Sequence, residues 1–322
     1  MNQPHDNTYI GSHDIAAIVG KHPFVSPIKV FMKLMGMGND LRVNEEMLWG
    51  LKQQPVILDE FHSRHCNKEI AHEVHRRYPQ KEFLGSTIDG VLIPGSEEGV
   101  DAKNVRWFDA KKGWGEEATD QVPEYILIGM QWHMAMDPTM QMVWVAALFS
   151  GCSYREYIIR RDDALIEMLI GEAEKFWRDH VLTKKCPEMD ASDAASEYLK
   201  KAHPSETLPM RVATPEEVRL IQSYQQIHRI AKLIEKREKE CENKLKDMIG
   251  EAAGLSWENT RFTYKKTRDR SQIDWCSVAH DLRSLAGEKK FQELVKAHTS
   301  MKAGYRRFLK TFEEGEQDDD TL

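Results

Sequence analysis

Two aspartates and a lysine are the first residues in this chain whose types and spacing could do chemistry. Asp89 lies within FLGSTIDGVLI (83–93), and Asp109 and Lys111 lie two apart within VRWFDAK (105–111). Both stretches carry the β-branched and aromatic residues of strands. Side chains two apart on a strand project to one face, so neighbouring strands would gather two carboxylates and an ammonium. Hard divalent cations such as Mg²⁺ take carboxylate oxygens and water. A lysine beside such an ion can orient a water and favour its hydroxide form. The chemistry implied is metal-dependent cleavage of a phosphodiester. The spacing by itself is weak, because charged residues on a solvated strand face spell the same letters.

The elements that must position these residues begin with helices. Ser12 or His13 opens a short helix over DIAAIVG, with Asp14 at its positive end and Gly20 as its stop,. Ser26 and Pro27 read as the cap and first residue of a second helix, with Ile28, Phe31, Met32 and Met35 on one stripe,. A longer helix starts at Asn44, and Pro55 inside it predicts a bend at about Gln54,. Beyond the two strands, VPEYILIGMQWHMAM (122–136) reads as a helix carrying Gln131 among apolar neighbours,. MVWVAALFS and SYREYIIRR then form a hairpin through Gly151, and an amphipathic helix runs from Asp162 or Asp163 to about Val181,. The order ααα-ββ-α-ββ-α predicts an α/β (α+β) core over residues 1–187, a mixed sheet with helices on its faces.

The composition shifts at Pro187, and residues 188–213 read as a polar connector,. Thr214, Pro215 and Glu217 form a capping box that starts a long helix,. Its stripe of Val218, Ile221, Tyr224, Ile227, Ala231, Ile234, Cys241, Leu245 and Met248 is interrupted by the charged KREKEC, and the helix is too short for a coiled-coil assignment,. A hairpin over SWENTRFTYKK, a helix over SQIDWCSVAHDL and a basic arm with Lys302, Arg306, Arg307 and Lys310 complete residues 214–312; the acidic tail 313–322 is expected to be disordered,.

Composition bounds the rest. A chain of 322 residues with 41% hydrophobic content can bury a full core,. A net charge of −7 argues against a histone-like coat on nucleic acid but leaves a local basic groove open,. The five cysteines are scattered without CxxC spacing, which fits reduced thiols in a cytoplasm,. The first residues, MNQPHDNTYI, have neither a basic leader nor an apolar run, so a soluble protein with no membrane partner is expected,. His62, His65, Cys66, His72 and His75 are a competing, zinc-type ligand set, though their spacing matches no finger,.

The blocks IGSHDIAAIVG, WGLKQQPVILDEF, FLGSTIDGVL, FDAKKG and VPEYILIGMQWHMAM, in that order, resemble the YqaJ-like, lambda-exonuclease-type phage recombinases of the PD-(D/E)XK nuclease superfamily. The resemblance covers about residues 9–185 and implies a restriction-endonuclease-like core. It implies a Mg²⁺- or Mn²⁺-dependent exonuclease that degrades one strand of linear double-stranded DNA from its 5′ end. The remaining single strand would pass to an annealing protein in recombination. Asp89 and Asp109 would be metal ligands, Lys111 the activator of water and Gln131 an amide that helps orient it. Ser12, His13 and Thr87 would touch DNA or its phosphates, joined by Arg306 and Arg307, and the chain would form a homo-oligomeric ring, often a trimer. Gln54 stands where the family usually has the Glu of a Glu-Pro pair, Asp109 replaces the usual Glu, and Ile88 precedes Asp89 in place of the common Pro. His13 stands where a Ser often holds the terminal phosphate, and no Arg lies upstream of Tyr9. Since an amide adds an oxygen to a metal site but no charge, a second expectation is a protein that grips DNA ends without cleaving them.

Overall fold

Alternation and burial select the strands of a five-stranded sheet ordered β1 (Glu69–Tyr78), β2 (Lys81–Ile93), β3 (Glu98–Val105), β4 (Met142–Phe149) and β5 (Ser153–Arg160). The structure, a computed structural model, describes residues 9–37, 45–65, 68–93, 97–106, 109, 113–268, 272 and 274–300. It divides into two units, Met1–Pro204 and Ser205–Leu322.

In the first unit all neighbouring strands are antiparallel except β3 and β4. That parallel pair needs a crossover, and α4 (Glu124–Met136) supplies it. Every residue of α4 from Ile128 to Met136 is buried, as suits a helix enclosed on all sides,. Helices α1 (Ser12–Ile18) and α5 (Asp163–Phe176) share a core with α4, in which Ile15, Trp132, Met134, Val143 and Leu169 are fully buried. On the other face α3 (Glu45–Arg64) sets Ile57, Leu58 and Phe61 against Leu92, Val100 and Ala146. The expected mixed α/β architecture is thus observed. α3 continues through Pro55 as one helix.

Three expectations change. The strand expected over 105–111 is instead β3, which ends at Val105, because Val100 and Val105 are the buried apolar anchors and Arg106 leaves the ladder. β1 was not expected at all: its residues EIAHEVHRRY are largely exposed or half-buried, so no apolar alternation marks them. Residues 188–202 are no connector, for α6 (Asp193–Ala202) packs Ala194 and Ala195 on Ile28 and Met32 of α2 (Pro27–Leu34). The two helix caps touch there, Ser26 Oγ lying 3.1 Å from Ser192 Oγ.

The second unit contains α7 (Pro215–Ile249), a hairpin of β6 (Gly254–Trp257) and β7 (Thr260–Thr263), α8 (Trp275–Ala286) and α9 (Glu288–His298). The expected capping box starts α7, with Thr214 N donating to Glu217 Oε2 at 2.8 Å. The arm bearing Arg306 and Arg307, and the acidic tail, lie outside the described residues. Among the described residues no helix is long and apolar enough to cross a membrane.

Candidate active site

The site grows where the paired ladder of β2 and β3 ends. β2 and β3 pair at Gly90↔Val100 and Val91↔Gly99, so the next position sets Asp89 opposite Asp101. There the Asp89 carboxylate enters the ladder itself, Oδ2 accepting the Ala102 N–H at 2.8 Å. On the other flank β1 pairs His72↔Gly90 and Val74↔Ile88, and Glu73 between them takes a positive φ of 51°. That left-handed residue is a local strain in the strand facing Asp89.

Period-two alternation separates the two faces of β3. Val100 and Ala102 belong to the cluster under α3, while Asp101 is buried on the α4 side,. Lys103 follows two residues later and its Nζ bonds Asp101 Oδ2. From α4, His133 brings Nε2 to 3.6 Å from Asp101 Oδ1, and its Nδ1 lies 2.6 Å from Ser86 Oγ. Ser86, His133 and Asp101 are all buried.

Burial drives the electrostatics. Desolvation, then the charge of Asp101, pushes Asp89 up to about 7, against the pull of Lys103 and the Ala102 N–H. Burial also works against the Asp101 carboxylate, but Lys103 and then His133 overcome it and hold its pKa below the ordinary value. Lys103 is disfavoured by burial and rescued by Asp101 and Asp89, so its pKa is raised. His133 is pushed down to about 4, first by burial, so the imidazole is neutral at neutral pH. With Nε2 carrying the proton toward Asp101, Nδ1 is left to accept from the Ser86 hydroxyl. The corner therefore holds two carboxylates and one ammonium, and burial beside Asp101 favours the protonated form of Asp89.

Next to this corner a cleft of about 450 Å³ opens between α3, α4 and the end of β3, lined among others by Lys103, Arg106, Trp49, Trp114, Tyr125 and Phe24. Phe24 and Trp49 are 71% and 49% exposed, so aromatic faces as well as cations meet whatever enters. His13 of α1 is exposed.

The residues singled out from the sequence divide accordingly. Asp89 is at the site. Asp109 is in a turn beyond β3, where it lines the same cleft as Lys103 and its Oδ2 accepts from Arg106 Nε at 2.9 Å, and Lys111 lies outside the described residues. Gln131 is tied elsewhere: its Nε2 donates to Arg160 O at 2.7 Å and its Oε1 accepts from Asp162 N at 2.9 Å, joining α4 to the β5–α5 junction. His133, two residues on, is the α4 side chain that faces Asp101. Gln54 is half-buried one turn before Leu58, and beside it Gln53 Oε1 is buried with no hydrogen-bond partner among the described residues,. Ser12 is half-buried at the start of α1, and Thr87 is exposed with Oγ1 3.0 Å from His75 Nδ1. The zinc-type set does not assemble. His65 Nε2 meets Glu156 Oε2 at 3.0 Å, and among the described residues no three His, Cys, Asp or Glu side chains are grouped to hold a metal. Asp101, Lys103, Ser86 and His133 were missed, although Asp-Ala-Lys is spelled at 101–103 as it is at 109–111.

Residues 5–141 match the model of the YqaJ-like viral recombinase domain. This is the family that the sequence blocks resemble. The YqaJ-like segment runs from before α1 to the end of α4, and so includes Asp89, Asp101, Lys103 and His133. The uncharacterized protein YqaJ of Bacillus subtilis (strain 168) is 25% identical over 249 residues, 76% of each chain. An alkaline exonuclease from Laribacter hongkongensis has a TM-score of 0.43 at 15% identity, covering 61% of this chain and 93% of that one. A phage-related exonuclease from Haemophilus somnus 129PT has a TM-score of 0.40 at 15% identity, covering 55% and 96%.

Proposed function

We propose that the chain is a divalent-cation-dependent deoxyribonuclease of phage-type recombination, with Asp89, Asp101 and Lys103 at its centre. The observation that carries the reading is the shared corner of Asp89 and Asp101, where burial and mutual repulsion raise Asp89 to about 7. Two desolvated carboxylates of this kind fit a hard cation, which takes oxygen donors and relieves their repulsion. The orphaned Gln53 Oε1 adds an unsatisfied oxygen on α3. Asp89 and Asp101 would hold Mg²⁺ or Mn²⁺, which when bound supplies charge stabilisation for the phosphate and a lower pKa for water.

The chain's own residues do the remainder. Lys103, held in place by Asp101, orients the attacking water and keeps positive charge beside the developing oxyanion,. His133 keeps Asp101 in position through its Ser86-anchored ring,. The cleft beside Lys103 offers aromatic faces and Arg106 to a nucleic-acid strand,. In this reading Asp101 and Lys103 take the roles first expected of Asp109 and Lys111. Resection from the 5′ end of linear duplex DNA, delivery of the single strand to an annealing protein, a homo-oligomeric ring and action in the cytoplasm belong to the same proposal, on the strength of the YqaJ-like match. DNA-end binding without cleavage is the second reading, favoured by the neutral Gln53 and Gln54 on α3 and the two-carboxylate corner.

The test is resection of a labelled linear duplex with Mg²⁺ or Mn²⁺ against a chelator control. Metal-dependent loss of nucleotides in the wild type, abolished in Lys103→Ala, is expected. Binding of duplex ends with no cleavage under saturating Mn²⁺ would establish the second reading instead.

A further inference from the structure

The β6–β7 hairpin of the second unit gathers its rings on one face. Its register sets Leu255 opposite Phe262 and Trp257 opposite Thr260. Residues directly opposite share a face, and Tyr264, two residues beyond Phe262, falls on it as well. The ladder reaches that far, since Tyr264 N donates to Ala253 O at 3.1 Å. Ser256, Arg261 and Thr263 take the other face,. The ribbon is tightly made: Glu258 turns it with a positive φ of 49°, and a Cβ at Gly254 would lie 2.1 Å from Phe262 O.

The ring face is open. Trp257, Tyr264 and Phe262 are 72%, 55% and 47% exposed, and none stacks on a ring or a cation among the described residues. A two-stranded ribbon is marginal in water and gains from whatever covers its apolar face.

Charge says what covers it. In a chain of net charge −7, residues 254–268 hold Arg261, Lys265, Lys266 and Arg268 against a single acid, Glu258. Arg261, Lys265 and Arg268 are exposed and form no ion pair among the described residues. Open rings beside cations fit a nucleic acid, which offers flat bases and phosphates together. An apolar partner would leave the cations unanswered, and a small anion the rings.

Spacing selects a single strand. Phe262 and Tyr264, two residues apart, are separated by about 6.7 Å, and Trp257 lies diagonal to Phe262 at about 7–8 Å. These spacings are roughly twice the 3.4 Å between successive bases in a duplex strand. Each ring therefore takes one base from a strand whose bases are splayed apart. A duplex, with its base faces already stacked, offers the rings nothing.

We propose that the β6–β7 hairpin is a binding face for single-stranded DNA. Trp257, Phe262 and Tyr264 stack on bases, while Lys265 and Arg268 beyond the hairpin, and Arg261 at the ribbon's edge, meet phosphates. The face stands on the hairpin alone; the choice of DNA over RNA rests on the nuclease reading, in which single-stranded DNA is the product.

The experiment uses the full chain with chelator, so that binding is read whether or not the chain cleaves. Fluorescence anisotropy with an oligothymidylate of about 12 nucleotides gives the dissociation constant. Trp257→Ala with Phe262→Ala raises it at least roughly tenfold, whereas Trp257→Phe stays within about threefold of wild type. The same alanines leave affinity for a blunt duplex of equal length within about twofold. Arg261→Ser with Lys265→Ser flattens the slope of log K against log salt by about 1.4, or ~0.7 for each phosphate contact. Circular dichroism shows that each variant keeps its fold. An iododeoxyuridine oligonucleotide, losing hydrogen iodide on irradiation, becomes covalently joined to Trp257, Phe262 or Tyr264 in the wild type. An oligothymidylate constant indifferent to the rings, an equal loss on duplex, or cross-links confined to the first unit would each overturn the proposal. Tighter hairpin-dependent binding of oligouridylate would overturn the choice of DNA.

Discussion

Asp-Ala-Lys is spelled twice in this chain, at 101–103 and at 109–111, and the two aspartates stand in different surroundings although Lys103 and Asp109 line one cleft. The first lies inside β3 between Val100 and Val105, which pin it to the sheet. Its aspartate is buried, bonded by its own lysine, and set by strand register across from Asp89. The aspartate of the second lies in a turn three residues from Arg106, to which it is bonded. Register with a neighbouring strand, more than local spelling, makes a carboxylate available to a second carboxylate.

The lysines give the sharpest way to break that contrast. If the first copy is the working one, Lys103→Ala lowers duplex resection by about 10²–10⁴-fold, the range of a positioned acid–base or electrostatic group. Lys111→Ala stays within a few-fold of wild type. Equal losses in the two variants, or a loss confined to Lys111, would reassign the centre to the second copy.

A carboxylate added on α3 sharpens it next. Gln54 occupies the place of the usual acid, and Gln54→Glu should raise the cleavage rate by roughly one to three orders of magnitude if one ligand charge is worth a few kcal/mol in the transition state. Gln53→Glu is the comparison, since the Gln53 Oε1 is the buried oxygen without a partner. A gain in Gln53→Glu alone would move the third donor by one residue. No gain in either, with Mn²⁺ saturating and DNA binding intact, favours the binding protein.

What was legible in the sequence follows the same division. Helices α1 to α5 and the β4–β5 hairpin announced themselves through caps, Pro27, Gly151 and apolar periodicity, all of them local signals, whereas α6 did not. Asp89 was found because its strand is apolar on both sides. β3 was not, because Asp101, Lys103 and Asn104 give it the look of a loop, while VRWF, which starts at its last residue, has stronger strand propensity. Its strand state comes from pairing with β2 and β4, a tertiary effect that outweighs propensity. Gln131 misled for a related reason. An amide amid apolar residues points equally to a site and to a backbone clamp, and only its bonds to Arg160 and Asp162 decide for the clamp.

The aspartates themselves separate the copies by stability. Asp101→Asn leaves the half-buried Lys103 with Asp89 alone as counter-ion and costs up to about 3–5 kcal/mol,. Asp109→Asn breaks an ion pair whose partners are 40% and 23% exposed, worth less than about 1 kcal/mol,. Urea melts at pH 7 read the difference directly. Mg²⁺ or Mn²⁺ should also raise the melting temperature of the wild type and of Asp109→Asn, while Asp89→Asn and Asp101→Asn respond little. A full metal response in Asp89→Asn would place the ion elsewhere.

The smallest effect is the pH dependence of the metal-free protein. Asp89 titrates at about 7 in the fold, against an ordinary carboxylate value near 4 in the unfolded chain,. Between those two values the folded state binds the proton that the unfolded state has released. Stability on this account is full below pH ~4, falls as pH rises through about 7, and levels off above it. Asp89→Asn has no such proton to lose, so with chelator present it should match the wild type near pH 4 and exceed it at pH 8 by on the order of 1–3 kcal/mol. Because the Asp101 charge is the second cause of the shift after burial, Asp101→Asn should flatten the same slope in part, on top of its larger constant cost. Bound Mg²⁺ should flatten it as well, since a cation favours the ionised pair. A wild type whose stability rises between pH 5 and 8 relative to Asp89→Asn would mean that Asp89 is stabilised as an anion in the fold, and that the two carboxylates do not share one corner.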